Sequence, residues 1–325
     1  MFINQWGLKN IGQEFCGDIG LNGKDINIVP AWEITKGNQS VVIGVLDTGV
    51  DIKHENLVNN IYINPNEIPN NCVDDDQNAY IDDIFGWDFV NNDNSVYDMN
   101  LEDLHGTFVA GVIGGHFQSE YNEGISGVAL NIKLLSLKFM CGDSSYSSDA
   151  IRAIKYASDM NVSIVNASFG STILHHELKQ SMESVDILFV CASGNFGKDV
   201  SVEPFYPACF EIPNIISVAA IDSKGNLYSD SNYGKEVDVA APGVNIISTF
   251  PDNDYGITSG TSAAAPFVSG IAALLKSVEL ESDSTRLSSA IINSTNIEYN
   301  LRNKVSSGGI VDAYKALKYL IEEYK

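Results

Sequence analysis

Residues 41–47 read VVIGVLD. Valine, isoleucine and leucine dominate, and no polar residue interrupts the run before its final aspartate. A strand with one wet face alternates polar and apolar side chains, so this run predicts a strand covered by helices on both sides. Five more segments share its character: IKLLSLKF (132–139), VSIVNASF (162–169), ILFVCASG (187–194), IISVAAID (215–222) and DVAAPG (238–243). Helical patterns fall between and after them. SSDAIRAIKYASDM (147–160) puts Ile151, Ile154 and Ala157 on one stripe, and ILHHELKQSMES (173–184) is a second candidate. TSAAAPFVSGIAALLKS (261–277) is apolar nearly all round, as a central buried helix would be. Its Pro266 falls in the opening turns, where a missing N–H is expected to cost least. VDAYKALKYLIEEYK (311–325) closes the chain as a fourth helix. Strands alternating with helices predict an α/β fold around a parallel, doubly wound sheet.

The Asn- and Asp-rich stretch from Asn59 to Asn100 breaks the alternation. It is too long for an idle connection and reads as a functional or metal-bound loop. No repeat or linker divides residues 1–325, which read as one domain. A net charge of -23, from 42 acidic against 19 basic residues, argues against nucleic acid and anionic membranes as partners. Solubility is its plainest use; cationic substrates and divalent cations are the partners it admits. The five cysteines (Cys16, Cys72, Cys141, Cys191 and Cys209) form no CxxC pair, which removes zinc-ribbon and thioredoxin-type readings. Cys141 and Cys191 lie in or beside apolar stretches and are expected to be buried thiols, which points to a reducing, cytoplasmic setting. MFINQWGLKN has neither a basic n-region nor an apolar h-region. The alternative is a secreted form that has lost its signal peptide and propeptide. No apolar run reaches the length of a membrane span.

In open α/β sheets, functional groups gather beyond the carboxyl ends of the strands. Asp47 ends the first strand, Ser168 the third, and Asn195 follows the fourth. His105 opens the small-residue run GTFVAGVIGG, and Ser262 lies in SGTSAAAP at the start of the apolar helix. A serine hydroxyl becomes a useful nucleophile only beside a base, and the base needs a carboxylate to fix its tautomer. The tetrahedral intermediate needs donors for its oxyanion. Ser262, His105 and Asp47 fill the first roles; the Asn195 amide and the Ser262 N–H fill the last. Singly, each has a plainer use: Asp47 and Asn195 as turn residues, His105 as a cap or core histidine, Ser262 as an N-cap. Their joint order and placement favour the catalytic assignment. His54, His116, His175 and His176 are not followed by such small residues.

The same residues carry a resemblance. VIGVLDTGVDIKHENL (42–57), HGTFVAGVIGG (105–115) and SGTSAAAPFVSGIAALL (259–275) resemble the aspartate, histidine and serine motifs of the subtilases. ASGNFG (192–197) resembles the segment with their oxyanion asparagine. The match runs from about NQWGLKN to GGIVDAYKAL. It implies a serine endopeptidase with a three-layer α/β/α fold, mainly parallel in its central sheet. It also implies a substrate-binding strand at Ser168, Phe169 and Gly170, a facing edge at Asp143, Ser144 and Ser145, and an S1 pocket lined by Ala192, Ser193 and Gly194. Phe108 stands where the family often has histidine. Phe205 stands where many relatives have a small residue at the base of S1, which predicts a shallow or reshaped pocket that disfavours large aromatic P1 residues. The family's inhibitory propeptide is not visible before the domain, and a removed or separate propeptide is an expected partner beside the peptide substrate.

DDDQNAYIDD (74–83) offers oxygens at alternate positions: Asp74, Asp76, Asn78, the Tyr80 carbonyl, and Asp82 or Asp83. The spacing resembles the start of an EF-hand loop and suggests structural calcium, although Ala79 replaces the turn glycine and Phe85 the bidentate glutamate. A solvated acidic loop is the plainer reading. A second calcium site of the family would use Gln5, position 56 (Asn56 here) and the loop around Asn122. Two rivals stand against a protease: a degenerate binding scaffold, which the four intact residues oppose, and a calcium-binding module, which leaves the motifs unexplained. Within the enzyme class, a dedicated processing protease for a leader peptide is a further expectation.

Overall fold

The structure, a computed structural model, describes residues 4–98, 103–116 and 124–322. Its frame is a nine-stranded sheet. In chain order the strands are β1 (Val42–Asp47), β2 (Gly86–Asp88), β3 (Lys133–Lys138), β4 (Ile164–Ala167), β5 (Leu188–Ala192), β6 (Ile215–Ile221) and β7 (Val239–Pro242). After the hairpin β8 (Ile246–Phe250) and β9 (Asp254–Thr258), which lies outside the sheet, come β10 (Asn296–Ile297) and β11 (Gly309–Ile310). The order across the sheet is β10-β11-β7-β6-β5-β4-β1-β3-β2. Every neighbour pairs in parallel except β10 with β11. From β1 the chain pairs outward to β3 on one side and then returns to β4 on the other. The strand order therefore reverses at β1, and a crevice opens beyond its carboxyl end.

The expected burial of both strand faces follows from the layers. Ile43 and Val45 join one core, with α1 (Leu104–Gly114), α4 (Thr261–Val278), α5 (Ser284–Ile292) and α6 (Ala313–Glu322). Val42 and Leu46 join the other, with α2 (Ser147–Asp159) and α3 (His176–Glu183). Successive residues point to opposite faces, so a strand between two helix layers must be apolar throughout. This is the three-layer α/β/α arrangement. In α2, Ile154 and Ala157 are buried, while Ile151 packs half-buried at the edge.

Three short strands of the sheet, the hairpin β8–β9 and α5 escape sequence reading. Two- and three-residue strands such as β2 are too short to show a period. The start of α5 is marked only by Asp283, whose carboxylate caps Arg286 N–H at 2.8 Å. Helix α3 begins at 176 and not 173, because Ser171–Ile173 turns first, with Ile173 N–H donating to Ser171 Oγ at 2.9 Å. Helix α4 is long and apolar enough to cross a membrane by composition, but its side chains are mostly buried against β4, β5, β6 and β7. Pro266 is its sixth residue, beyond the orphan first turn. Its missing N–H would have served the Ser262 carbonyl, and that carbonyl instead accepts from Ser168 Oγ at 3.1 Å. The proline thus frees a backbone acceptor that ties the helix to the end of β4. Cys191 is buried as expected, whereas Cys141 is half-exposed on the hairpin of Met140–Cys141 with Ser144–Ser145.

Candidate active site

Asp47 ends β1 and is buried. His105 is the second residue of α1, and its ring is about a third exposed. His105 Nδ1 and Asp47 Oδ1 lie 2.7 Å apart, a hydrogen-bonded and charge-assisted pair. Close backbone packing brings them together. A Cβ on Gly106 would lie 2.2 Å from the Gly49 carbonyl, so only glycine after the histidine lets α1 approach the loop after Asp47 this closely. Thr48 braces the junction: its N–H donates to Asp47 Oδ1 at 2.8 Å and its Oγ1 accepts Gly106 N–H at 3.1 Å.

Ser262, the second residue of α4, opens into a cleft of about 640 Å³ that His105 and Asn195 also line. Asn195 Oδ1 accepts from Thr261 N–H at 2.8 Å and from Thr261 Oγ1 at 3.0 Å. With its oxygen committed, the asparagine offers its NH2 to whatever anion forms in the cleft. The helix N-terminus at Ser262 adds backbone donors and a positive dipole end. Burial pulls the His105 imidazolium down, but the charge and hydrogen bond of Asp47, with Asp143 adding, hold its pKa above the ordinary value. Of the expected binding residues, Ser168, Phe169, Gly170, Asp143, Ala192, Gly194 and Phe205 line this cleft. Ser193 does not. It is fully buried just past the end of β5, with Oγ donating to the Asn232 carbonyl, away from the cleft that Ala192 and Gly194 line. Ser145 lines a second, apolar hollow of about 290 Å³ behind Phe169, between Met140, Ala150, Leu178 and Phe210. Ser144 is exposed on the hairpin and lines neither. That hollow had no sequence signal, since its walls come from several separate segments.

Phe205 lies across the slot between the two binding segments. A Cβ on Gly170 would stand 2.3 Å from its ring, and one on Gly194 2.9 Å. The exposed Phe196 packs on it at 5.8 Å between ring centroids.

In the acidic loop the structure gathers Asp76 and Asp83 with Glu67, their ligand atoms within 4.8 Å of one another. Asn64 Nδ2 bridges Asp76 at 3.0 Å and Asp83 at 2.9 Å. Glu67 is buried and was missed because it lies outside the DDDQNAYIDD run. Two of the expected carboxylates, Asp74 and Asp82, are not part of this group of three, whereas Asn78 stays in contact with it. Asp74 accepts from the N–H groups of Asn78 and Ala79, and Asp82 from those of Asn71 and Cys72. The Asn78 side chain donates to Asp83, and its oxygen accepts from Tyr80 N–H. The Tyr80 ring packs on Trp87 and Tyr156. Positive φ at Gln77, Ala79 and Asp82 breaks the alternation on which the expected ligand set relied. Burial pushes the Asp83 carboxyl up, opposed by hydrogen bonds from Tyr156, Asn78 and Asn64. Three converging carboxylates fit a hard, oxygen-seeking cation. At the second expected site, both ends of the Gln5 amide are taken by Ser126 backbone and Asn56 Oδ1 is engaged by Tyr255; the Asn122 loop lies outside the described residues.

Fold and cleft together define a chain of the subtilase family, and it belongs to that family: the family's sequence profile matches residues 38–314. Among its relatives, the thermophilic serine proteinase of Bacillus sp. (strain AK1) is 37% identical over 252 residues, 76% of this chain and 55% of that protein. The chain thus spans about half that relative's length. Thermitase of Thermoactinomyces vulgaris is 32% identical over 89% of this chain and 92% of its own. Among solved structures, a cold-adapted subtilisin-like serine proteinase superposes with a TM-score of 0.66 at 28% identity, covering 95% of this chain and 97% of the other.

Proposed function

We propose that the chain is a serine endopeptidase whose nucleophile is Ser262. His105 takes the hydroxyl proton as the oxygen attacks a peptide carbonyl, and Asp47 holds the imidazole tautomer and balances the imidazolium. Asn195 and the Ser262 N–H receive the oxyanion. His105 then returns the proton to the leaving amine, and water, deprotonated by the same ring, releases the acid. The observation that carries this reading is the 2.7 Å His105–Asp47 bond at the wall of the cleft that Ser262 and Asn195 share. The names of its relatives, a serine proteinase and thermitase, agree with it. A fluorophosphonate probe should label Ser262 in the native protein. An unreactive Ser262 would return the chain to the scaffold reading.

The Phe205 ring, wedged against Gly170 and Gly194, supports a shallow S1 that takes small P1 side chains. Such a slot suits a protease that processes particular precursors better than a general degradative one. A peptide-library profile should show small residues enriched at P1, with Phe205→Gly shifting preference toward Phe and Tyr about tenfold or more, as expected for a relieved steric block. Strong Phe or Tyr preference in the native protein would refute this.

Calcium is the proposed occupant of the Glu67, Asp76 and Asp83 cluster, where three carboxylates repel unless a cation joins them. Calorimetry should detect binding, and saturating calcium should raise Tm by an increment that Glu67→Gln with Asp76→Asn abolishes. An equal increment in that variant would place the ion elsewhere.

A further inference from the structure

The mechanism makes no use of a buried cation close to its centre. Lys138 is 1% exposed at the end of β3, with Asp47 of β1 as its register partner on one side and Asp88 of β2 on the other. A lysine is rarely buried unless its charge is paired. Here the ammonium donates to the Thr48 carbonyl at 2.8 Å and to Asp103 Oδ1, and stands 3.4 Å from Asp98 Oδ2. Both principal partners flank the proposed catalytic pair. Thr48 follows Asp47, and Asp103 is the N-cap residue of α1, two positions before His105. Thr48 commits three polar atoms to this junction: its N–H donates to Asp47, its hydroxyl oxygen accepts from Gly106 N–H, and its carbonyl accepts from Lys138. Asp103 Oδ2 in turn accepts Asp98 N–H at 2.6 Å.

We propose that Lys138 is a positioning residue for the Asp47–His105 pair: one ammonium pins the peptide after the aspartate and the cap before the histidine, and so sets the separation of the two side chains. The proposal rests on the peptidase reading for its kinetic consequence. The physical reason lies in where the two residues sit. They come from a strand end and a helix start 58 positions apart, and neither element alone holds their spacing. A multidentate ammonium bound at once to a carbonyl and a carboxylate is a rigid strut, whereas a methionine of similar length only fills the volume. The carboxylates raise the Lys138 pKa against the pull of burial, so the strut stays charged through the working pH range.

Lys138→Met leaves Asp103 buried with its charge uncompensated and is expected to fold poorly. The decisive variant is therefore Lys138→Met with Asp103→Asn, which removes the closest ion pair and keeps the volume, while Asp88 and Asp98 retain hydrogen bonds from Val90 and Asn91 N–H and from Ser95 Oγ. If the lysine positions the pair, this variant regains most of the native Tm, yet kcat stays down about ten- to a hundredfold with KM within about twofold, the signature of a misplaced reacting group. The downfield proton resonance of His105 Nδ1–H, a readout independent of turnover, should broaden or move in the same protein. A folded double variant with native kcat and an unchanged resonance would overturn the proposal. Were the native protein inactive, the peptidase reading would fall, and the resonance would still decide the role of Lys138.

Discussion

Ser262→Ala is expected to lower kcat about a millionfold, the magnitude established for the triad of subtilisin, which belongs to the same family. The residual rate should still exceed that in water by about 10³- to 10⁴-fold. It survives because the substitution leaves the cleft intact: Asn195 remains oriented by Thr261, and the binding segment at Ser168–Gly170 stays tied to α4 through the Ser262 carbonyl. KM should change little, and Tm by no more than a few degrees, since Ser262 is half-buried and its side chain faces the open cleft. Steady-state hydrolysis of a peptide substrate, with active-site titration to exclude contaminating native enzyme, measures the effect. Turnover within tenfold of native would mean that Ser262 is not the nucleophile.

Asp47→Asn should cost about 10⁴-fold in kcat with little change in fold, because an amide opposite Nδ1 favours the wrong imidazole tautomer. The variant also carries a pH signature. The Asp47 charge and hydrogen bond, helped by Asp143, hold the His105 pKa above its ordinary 6.5 although burial opposes them. Catalysis needs the neutral ring, so native activity should be full above that raised pKa and should fall as pH drops through it, with a midpoint above 6.5. Removing the Asp47 charge lowers the imidazole pKa, so the acid limb of the residual activity should move to lower pH. Asp143→Asn should move it the same way by a smaller step, since Asp143 is the lesser of the two charges that raise the His105 pKa. A kcat/KM profile that keeps its native midpoint in Asp47→Asn would separate the aspartate from the titrating base.

Much of this protein was legible in its sequence because the governing physics is local. A strand buried on two faces must be apolar at every position, and VVIGVLD says so. Groups at strand ends and at the starts of buried helices project into one crevice by topology, and Asp47, Asn195, Ser168, His105 and Ser262 could be placed from those rules. The glycine after His105 was visible too, although its reason, the 2.2 Å approach to Gly49, was not. What the sequence determined, then, was the frame and the residues that face the cleft.

Only the tertiary structure decided which distant groups close upon one another. Glu67 joins Asp76 and Asp83 because the acidic loop passes repeatedly through left-handed conformations, which rotate successive side chains off any simple alternation. Phe205 enters the slot from a segment with no strand or helix period to fix its direction. Lys138 looks like an ordinary polar end to a strand until Thr48 and Asp103 are seen around its ammonium. Spacing along a chain governs direction only while the backbone repeats; where it bends irregularly, side-chain partners are chosen by packing across the whole molecule.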